Sequence, residues 1–499
     1  MMTKSNLEKD FLAYLQEIDA YHELISLAHW DLRTKIPKKG VESRSKAIGI
    51  LSAKVHEMQT SDKMKQFIDE LKNKTDDEVI QKAVEECELD YERNHKIPQA
   101  EYKEYVTLQG QAEAAWQEAR EKADFQLFQP YLEKLVEFNK RFANYWGYEG
   151  HIYDALLDQY EPGMTVKTLD EVFPALRESL TQLREKVNNS KANVDSSIVL
   201  GYFPKEQQRN FAIDVLKQMN YDFEAGRLDD TIHPFEITLN LHDVRITTRY
   251  DENDFRMAVF GIIHEGGHAL YEQNIHPQLA HTPLATGTSM GIHESQSLFW
   301  ENLIGRSDGF WKANYEKFKS FAPDFFKELD VDEFYRAINE VKPTLIRIEA
   351  DELTYALHIM VRYELEKALI NGEIEVKDLP VLWNEKMVDY LGIEPANDGE
   401  GVLQDIHWSS GDFGYFPSYA LGYMYAAQFY NTLNQQMDVD SIVQSGDLSP
   451  ITNWLKENIH QYGKMKKPLE LLQDITNESL NPTHLVNYLT EKYSRIYNF

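Results

Sequence analysis

Apolar residues recur at helical spacing through most of the 499-residue chain, and this period limits what the chain can fold into more than any other feature. Leu7, Phe11, Leu15, Ile18, Leu24 and Ile25 recur at this spacing. Leu169, Val172, Phe173, Leu176, Leu180 and Leu183 repeat the pattern around Asp170, whose negative charge favours a helix start. The same spacing runs through residues 63–93, 100–145, 333–371 and 450–498. It breaks at Pro98, Pro130, Pro343 and Pro380, because proline lacks the amide hydrogen a helix interior needs. The expected architecture is mainly α. No Pro/Gly/Ser-rich linker divides it, so residues 1–499 read as one large domain.

One stretch has a different period. Phe235, Ile237, Leu239 and Leu241 alternate with polar residues, and after His242 and Asp243 the alternation resumes in the other phase at Val244, Ile246, Thr248 and Tyr250. This predicts a small hairpin. It precedes His264 closely enough to form a wall beside a helix there, with an edge on which an extended chain could pair.

Charge and cysteine content remove several classes. With 52 Lys+Arg against 82 Asp+Glu, the net charge of -30 repels polyanions, so nucleic acid and anionic membranes are not expected partners. A single cysteine, Cys87, permits neither an internal disulfide nor a cysteine-ligated metal site. The opening segment carries Glu8, Lys9 and Asp10 among its apolar positions, which leaves no uncharged run for a signal peptide, and no stretch approaches a membrane span. A cytoplasmic protein is expected.

The chemistry concentrates at His264, Glu265, Gly266, Gly267 and His268. Residues four apart share a helix face, so His264 and His268 can aim imidazole nitrogens at one cation. Glu265 is turned about 100° away, which suits a general base beside the metal better than a ligand. Ile262, Ile263, Ala269 and Leu270 bury the rest of the helix. Each glycine costs about 1 kcal/mol of helix stability relative to alanine, which points to close approach of a neighbouring strand or a substrate.

Catalytic zinc takes three protein ligands and leaves a position open. A third histidine in the HExxHxxGxxH arrangement would fall at Asn274, and the required glycine is Tyr271, so that arrangement is excluded. Glu294, in the run SMGIHESQSLFWENL, is the expected third ligand, carried by the next helix. His293 and Glu301 compete with it, but adjacent residues point about 100° apart, so His293 cannot face the metal alongside Glu294 and is placed instead as a neighbouring or substrate contact.

With HEGGH followed by HESQS, the sequence resembles the thermostable zinc carboxypeptidases typified by carboxypeptidase Taq. Six ordered signatures carry the resemblance: HPF at His233 to Phe235, Asp243-x-Arg245-x-Thr247, HEGGH, HESQS, Ile346-Arg347-x-x-Ala350-Asp351, and GVLQDIHW at Gly401 to Trp408. HWDLRT at His29 to Thr34 is similar to the family as well. The resemblance implies a helical, neurolysin- and angiotensin-converting-enzyme-like fold with a deep groove. Residues 1–230 would form one wall of the groove, and 231–499 would hold the metal and substrate. It also implies a homodimer, one Zn2+ per chain with Co2+ or Mn2+ as substitutes, and removal of single C-terminal residues from peptides with broad specificity and proline disfavoured.

It assigns further residues. His407 and Tyr419 are the expected donors to the oxyanion, with Tyr415 as a rival. A peptide's free carboxylate calls for arginine, whose planar fork donates two parallel hydrogen bonds. Arg347 is the first choice and Arg245 the second, with ion pairs to Asp351 and Asp243 as their structural alternatives. His233 is a candidate substrate contact. Two other readings stay open: an oligopeptidase that cuts internally, and a helical scaffold whose histidines fill its core.

Overall fold

The computed structural model of the chain describes residues 5–499, and helices account for most of them. The prolines that punctuate the sequence largely mark helix starts. Pro98 immediately precedes the helix Gln99–Lys122, while Pro130 and Pro380 sit in the first turns of Gln129–Trp146 and Leu379–Leu391, where a missing N–H costs nothing. The helix around Leu169 begins earlier than Asp170 suggested. It spans Val166–Asn189, and the Thr165 hydroxyl caps it by accepting from the Thr168 N–H at 3.2 Å; Asp170 lies inside and accepts from the Tyr363 hydroxyl at 2.8 Å.

Two hydrophobic clusters make up the interior. The helices α1 (Asn6–Thr34), α2 (Val41–Gln59), α3 (Asp62–Leu71) and α4 (Glu78–Lys96) gather Phe11, Leu15, Phe67 and Ile80 into the smaller one, which Leu241 and Leu284 also join. The larger runs from Leu108 to Tyr497. The helices from Gln99–Lys122 onward share the larger core with Ile262 and Ile263 of the helix that carries His264.

The predicted hairpin is present as β2 (Glu236–Asn240) antiparallel to β3 (Asp243–Thr248). A third strand, β1 (Leu228–Asp230), pairs parallel with β3, giving the order β1-β3-β2; at three residues it is too short to show a period. Val244 and Ile246 point into the larger core. Arg245 alternates to the opposite face, where its guanidinium lies 4.7 Å from the Trp30 ring of α1. Strand β2 is an edge strand.

Candidate metal centre

His264 and His268 lie on the helix Phe255–Gln273, which starts where the Asp254 side chain accepts from the Arg256 N–H at 3.1 Å. Ile262, Ile263, Ala269 and Leu270 are buried as expected. The two glycines serve helix packing, not the strand or substrate anticipated. A Cβ at Gly266 would come within 2.6 Å of Leu216 Cδ2, and one at Gly267 within 2.5 Å of the Gln296 carbonyl oxygen. Leu216 belongs to the helix Lys205–Gln218, and Gln296 to the helix Met290–Leu298 that carries Glu294.

Glu294 is wedged in place from the other side too. A Cβ at Gly422, on the helix Pro417–Gln436, would stand 2.7 Å from Glu294 Cβ. The start of the Glu294 helix is capped by Ser289, and the buried Glu161 carboxylate accepts from the Gly291 N–H at 3.0 Å and the Tyr425 hydroxyl at 2.7 Å. With both helices pinned, Glu294 Oε2 lies 3.7 Å from His264 Nε2 and 3.4 Å from His268 Nε2. The ligand atoms of all three residues fall within 4.8 Å of one another, the one such grouping of three or more His, Cys, Asp or Glu among the described residues. Both imidazoles keep about a fifth of their side-chain surface exposed, so the centre is reachable from solvent.

Further carboxylates surround this trio. After Leu298 the helix widens into a π turn, Phe299–Gly305, which directs Glu301 to His264 Nδ1 at 2.9 Å and to Arg306 at 3.0 Å. Glu301 thus meets His264 on the ring nitrogen away from Glu294 and stands outside the trio. Burial lowers the His264 pKa, but Glu294, Glu301 and Glu265 outweigh it and raise it to about 10; His268, which Glu301 does not touch, is left by burial at about 4. Burial also pushes Glu294 up, yet His264 and His268 hold it at about 2. Two imidazole nitrogens and one carboxylate oxygen, in surroundings this rich in negative charge, fit a divalent cation of the zinc type.

Glu265 is buried beside the trio, and burial raises its carboxyl to about 7 while the Glu236 backbone N–H of β2 donates to it. The edge strand therefore does border the centre, as the hairpin's position in the sequence suggested.

His407 and Tyr419 lie together, with His407 Nε2 and the Tyr419 hydroxyl 3.2 Å apart, and burial lowers the His407 pKa to about 4. The ring of Tyr415 sits 5.3 Å from that of Tyr419 and 5.4 Å from that of His407. Arg347 belongs to the same group. Its guanidinium is 4.7 Å from the Tyr419 ring, and the Tyr419 hydroxyl feels both Arg347 and Glu294. The partner of Arg347 is not Asp351, which instead accepts from Thr354 and Lys342, but Asp405 at 3.0 Å; Arg362 holds the other oxygen of Asp405 at 2.6 Å. One carboxylate between two guanidiniums leaves surplus positive charge. Tyr355, hydrogen-bonded to Arg347 and close enough to feel Glu294, completes the group.

Three candidates stand elsewhere. Arg245 forms a two-pronged pair with Asp243, 2.7 Å on each side, on the sheet face turned from the His264 helix. His233 is exposed in the turn before β2, and it is Phe235 of that motif that is tied down, by Thr247 and by Arg33 at 5.2 Å. His293 sits behind His268, Nδ1 to Nδ1 at 2.6 Å, on the ring nitrogen away from Glu294. Tyr355, Arg362 and Glu272 lie outside every motif quoted from the sequence; Asp405 lies within GVLQDIHW, where only His407 stood out as a candidate.

The family described as Carboxypeptidase Taq (M32) metallopeptidase matches residues 10–493. Carboxypeptidase 1 of Bacillus subtilis is 54% identical over 98% of this chain and 98% of its own. Thermostable carboxypeptidase 1 of Thermus thermophilus is 40% identical over 99% and 100%. The crystal structure of the M32 carboxypeptidase from Deinococcus radiodurans R1, 34% identical, superposes with a TM-score of 0.97 over 99% of this chain and 100% of that one.

Proposed function

Because this chain belongs to the carboxypeptidase Taq (M32) family and is a metallocarboxypeptidase, we propose that it binds one zinc ion through His264, His268 and Glu294 and releases single C-terminal residues from peptides. Cobalt and manganese satisfy the same donor set. A cation held there supplies a Lewis acid that polarises the scissile carbonyl and lowers the pKa of a bound water to about 7.

Glu265 takes the proton from the attacking water and returns it to the leaving amine; a carboxyl near pKa 7 suits both steps. His407 and Tyr419 donate to the oxygen on which charge develops, with Tyr415 holding the Tyr419 hydroxyl by a hydrogen bond. The observation that carries the reading is Arg347. Its guanidinium stands one tyrosine away from Glu294, with positive charge beyond what Asp405 cancels. A carboxylate bound there sets the scissile bond one residue in from the C-terminus. Arg347 has no such role in an endopeptidase. Broad specificity with proline disfavoured, a homodimer and a cytoplasmic location complete the proposal; among the described residues no helix is long and apolar enough to cross a membrane.

Mass spectrometry of one peptide as free acid and as C-terminal amide, with and without chelator, tests the reaction, its metal dependence and the carboxylate anchor together. A ladder of single-residue losses from the free acid alone, abolished by chelator, is expected. Equal cleavage of the amide would overturn the carboxylate anchor.

A further inference from the structure

The two histidines of the centre are held from behind by different groups. His264 Nδ1 meets a carboxylate, Glu301. His268 Nδ1 meets a second imidazole, His293 Nδ1, at 2.6 Å, and His293 Nε2 in turn meets Glu272 Oε1 at 3.0 Å. Glu272 is only 1% exposed, and the same oxygen accepts from the Gly287 N–H at 2.8 Å and the Thr286 hydroxyl at 3.1 Å, so this carboxylate is itself fixed. The loop that fixes it is pressed against His293. A Cβ at Gly287 would come within 2.7 Å of His293 Cδ2 and 2.8 Å of Tyr271 Cε1, and Tyr271 anchors the loop by accepting from the Thr288 N–H at 3.2 Å.

Proton placement follows from this contact. His268 Nε2 faces Glu294, and a cation there needs that nitrogen's lone pair, so the His268 proton belongs on Nδ1. Two Nδ1 atoms at 2.6 Å cannot both carry a hydrogen, which makes His293 Nδ1 the acceptor and puts the His293 proton on Nε2. That proton requires a buried acceptor, and Glu272 is there.

We propose that Glu272 and His293 are positioning residues: Glu272 holds His293 in its Nε2–H form, and His293 accepts the Nδ1 proton of His268, aiming the remaining nitrogen of His268 at the metal. The inference rests on His264, His268 and Glu294 being the ligands. Outer partners of this kind change metal affinity by about 10- to 100-fold when removed.

The test is zinc affinity of the full-length chain, measured by competition with a chromophoric chelator, with circular dichroism as the check on folding. His293→Ala and Glu272→Ala are each expected to weaken zinc about 10- to 100-fold. His293→Gln should recover most of the loss, because its amide oxygen accepts and its amide nitrogen donates in the same order as the imidazole. Histidine 15N spectra of the zinc-loaded wild type should show hydrogen on His268 Nδ1 and none on His293 Nδ1. Affinity of His293→Ala within twofold of wild type, no advantage of Gln over Ala, or a hydrogen on His293 Nδ1 would each overturn the proposal. The spectra decide the matter even where a variant fails to fold. Unchanged zinc affinity in His268→Ala would instead overturn the assignment of the ligands.

Discussion

Gly267 packs directly onto Gln296: a methyl group at 267 would stand 2.5 Å from the Gln296 carbonyl oxygen and 2.7 Å from Ser297 Cα, both backbone atoms that cannot swing aside. This contact sets the separation between the helix bearing His264 and His268 and the helix bearing Glu294. Gly267→Ala gains about 1 kcal/mol of helix propensity but overpacks a core contact, at a cost of about 1–3 kcal/mol. Lower thermal stability and weaker zinc binding are expected together. Calorimetry showing wild-type stability with wild-type zinc affinity would mean that the contact does not define the centre.

Glu294 and Glu265 lie close to the same cation site, and separate measurements distinguish them. Glu294→Ala should lose zinc to a chelator that leaves the wild type loaded. Glu265→Gln should keep its zinc and lose about 10²- to 10⁴-fold in kcat. If metal analysis finds the opposite pattern, the ligand and base assignments are reversed.

Arg347→Lys retains the charge and removes the planar fork. One lost charge-assisted hydrogen bond, worth about 1.5–3 kcal/mol, corresponds to about a 10- to 100-fold fall in kcat/KM on peptides with a free carboxylate. Steady-state kinetics on free and amidated peptides checks this, and an equal fall on both would place the role of Arg347 in structure alone.

Asp405 makes a pH prediction. Burial pushes its carboxyl up, but Arg362 and Arg347 outweigh burial and hold it well below the usual carboxylate range. A group with a depressed folded pKa contributes stability that is fully present above its unfolded pKa, near 4, and is lost as pH falls through the folded value. Asp405→Asn leaves two buried guanidiniums facing no charge, a cost of about 3–5 kcal/mol. The stability gap between wild type and Asp405→Asn should hold steady from neutral pH down to about 5 and narrow below 4. Denaturant titrations across that range give the answer; a gap that closes near neutrality would contradict the pairing.

Period and side-chain chemistry made much of this protein legible from the chain alone. Helical spacing determined a mainly α fold, strand alternation found β2 and β3, and the i, i+4 spacing of His264 and His268 put two imidazoles on one face whatever the rest of the molecule does. Those properties are local, so local sequence encodes them. What surrounds the centre is not local. Asp405 meets Arg347 across 58 positions and Tyr425 reaches Glu161 across 264, and no short pattern announces such pairs. The alternation that buries Val244 and Ile246 also turns Arg245 toward Trp30, a consequence that depends on which sheet face the His264 helix covers. Gly266 and Gly267 are conspicuous in the sequence, yet only packing shows that neighbouring helices, not a strand, press against them. Likewise the adjacency of His293 and Glu294 shows that they point apart, while the tertiary structure alone decides that His293 comes to rest between His268 and Glu272, because three separately positioned segments must meet there before those hydrogen bonds can form.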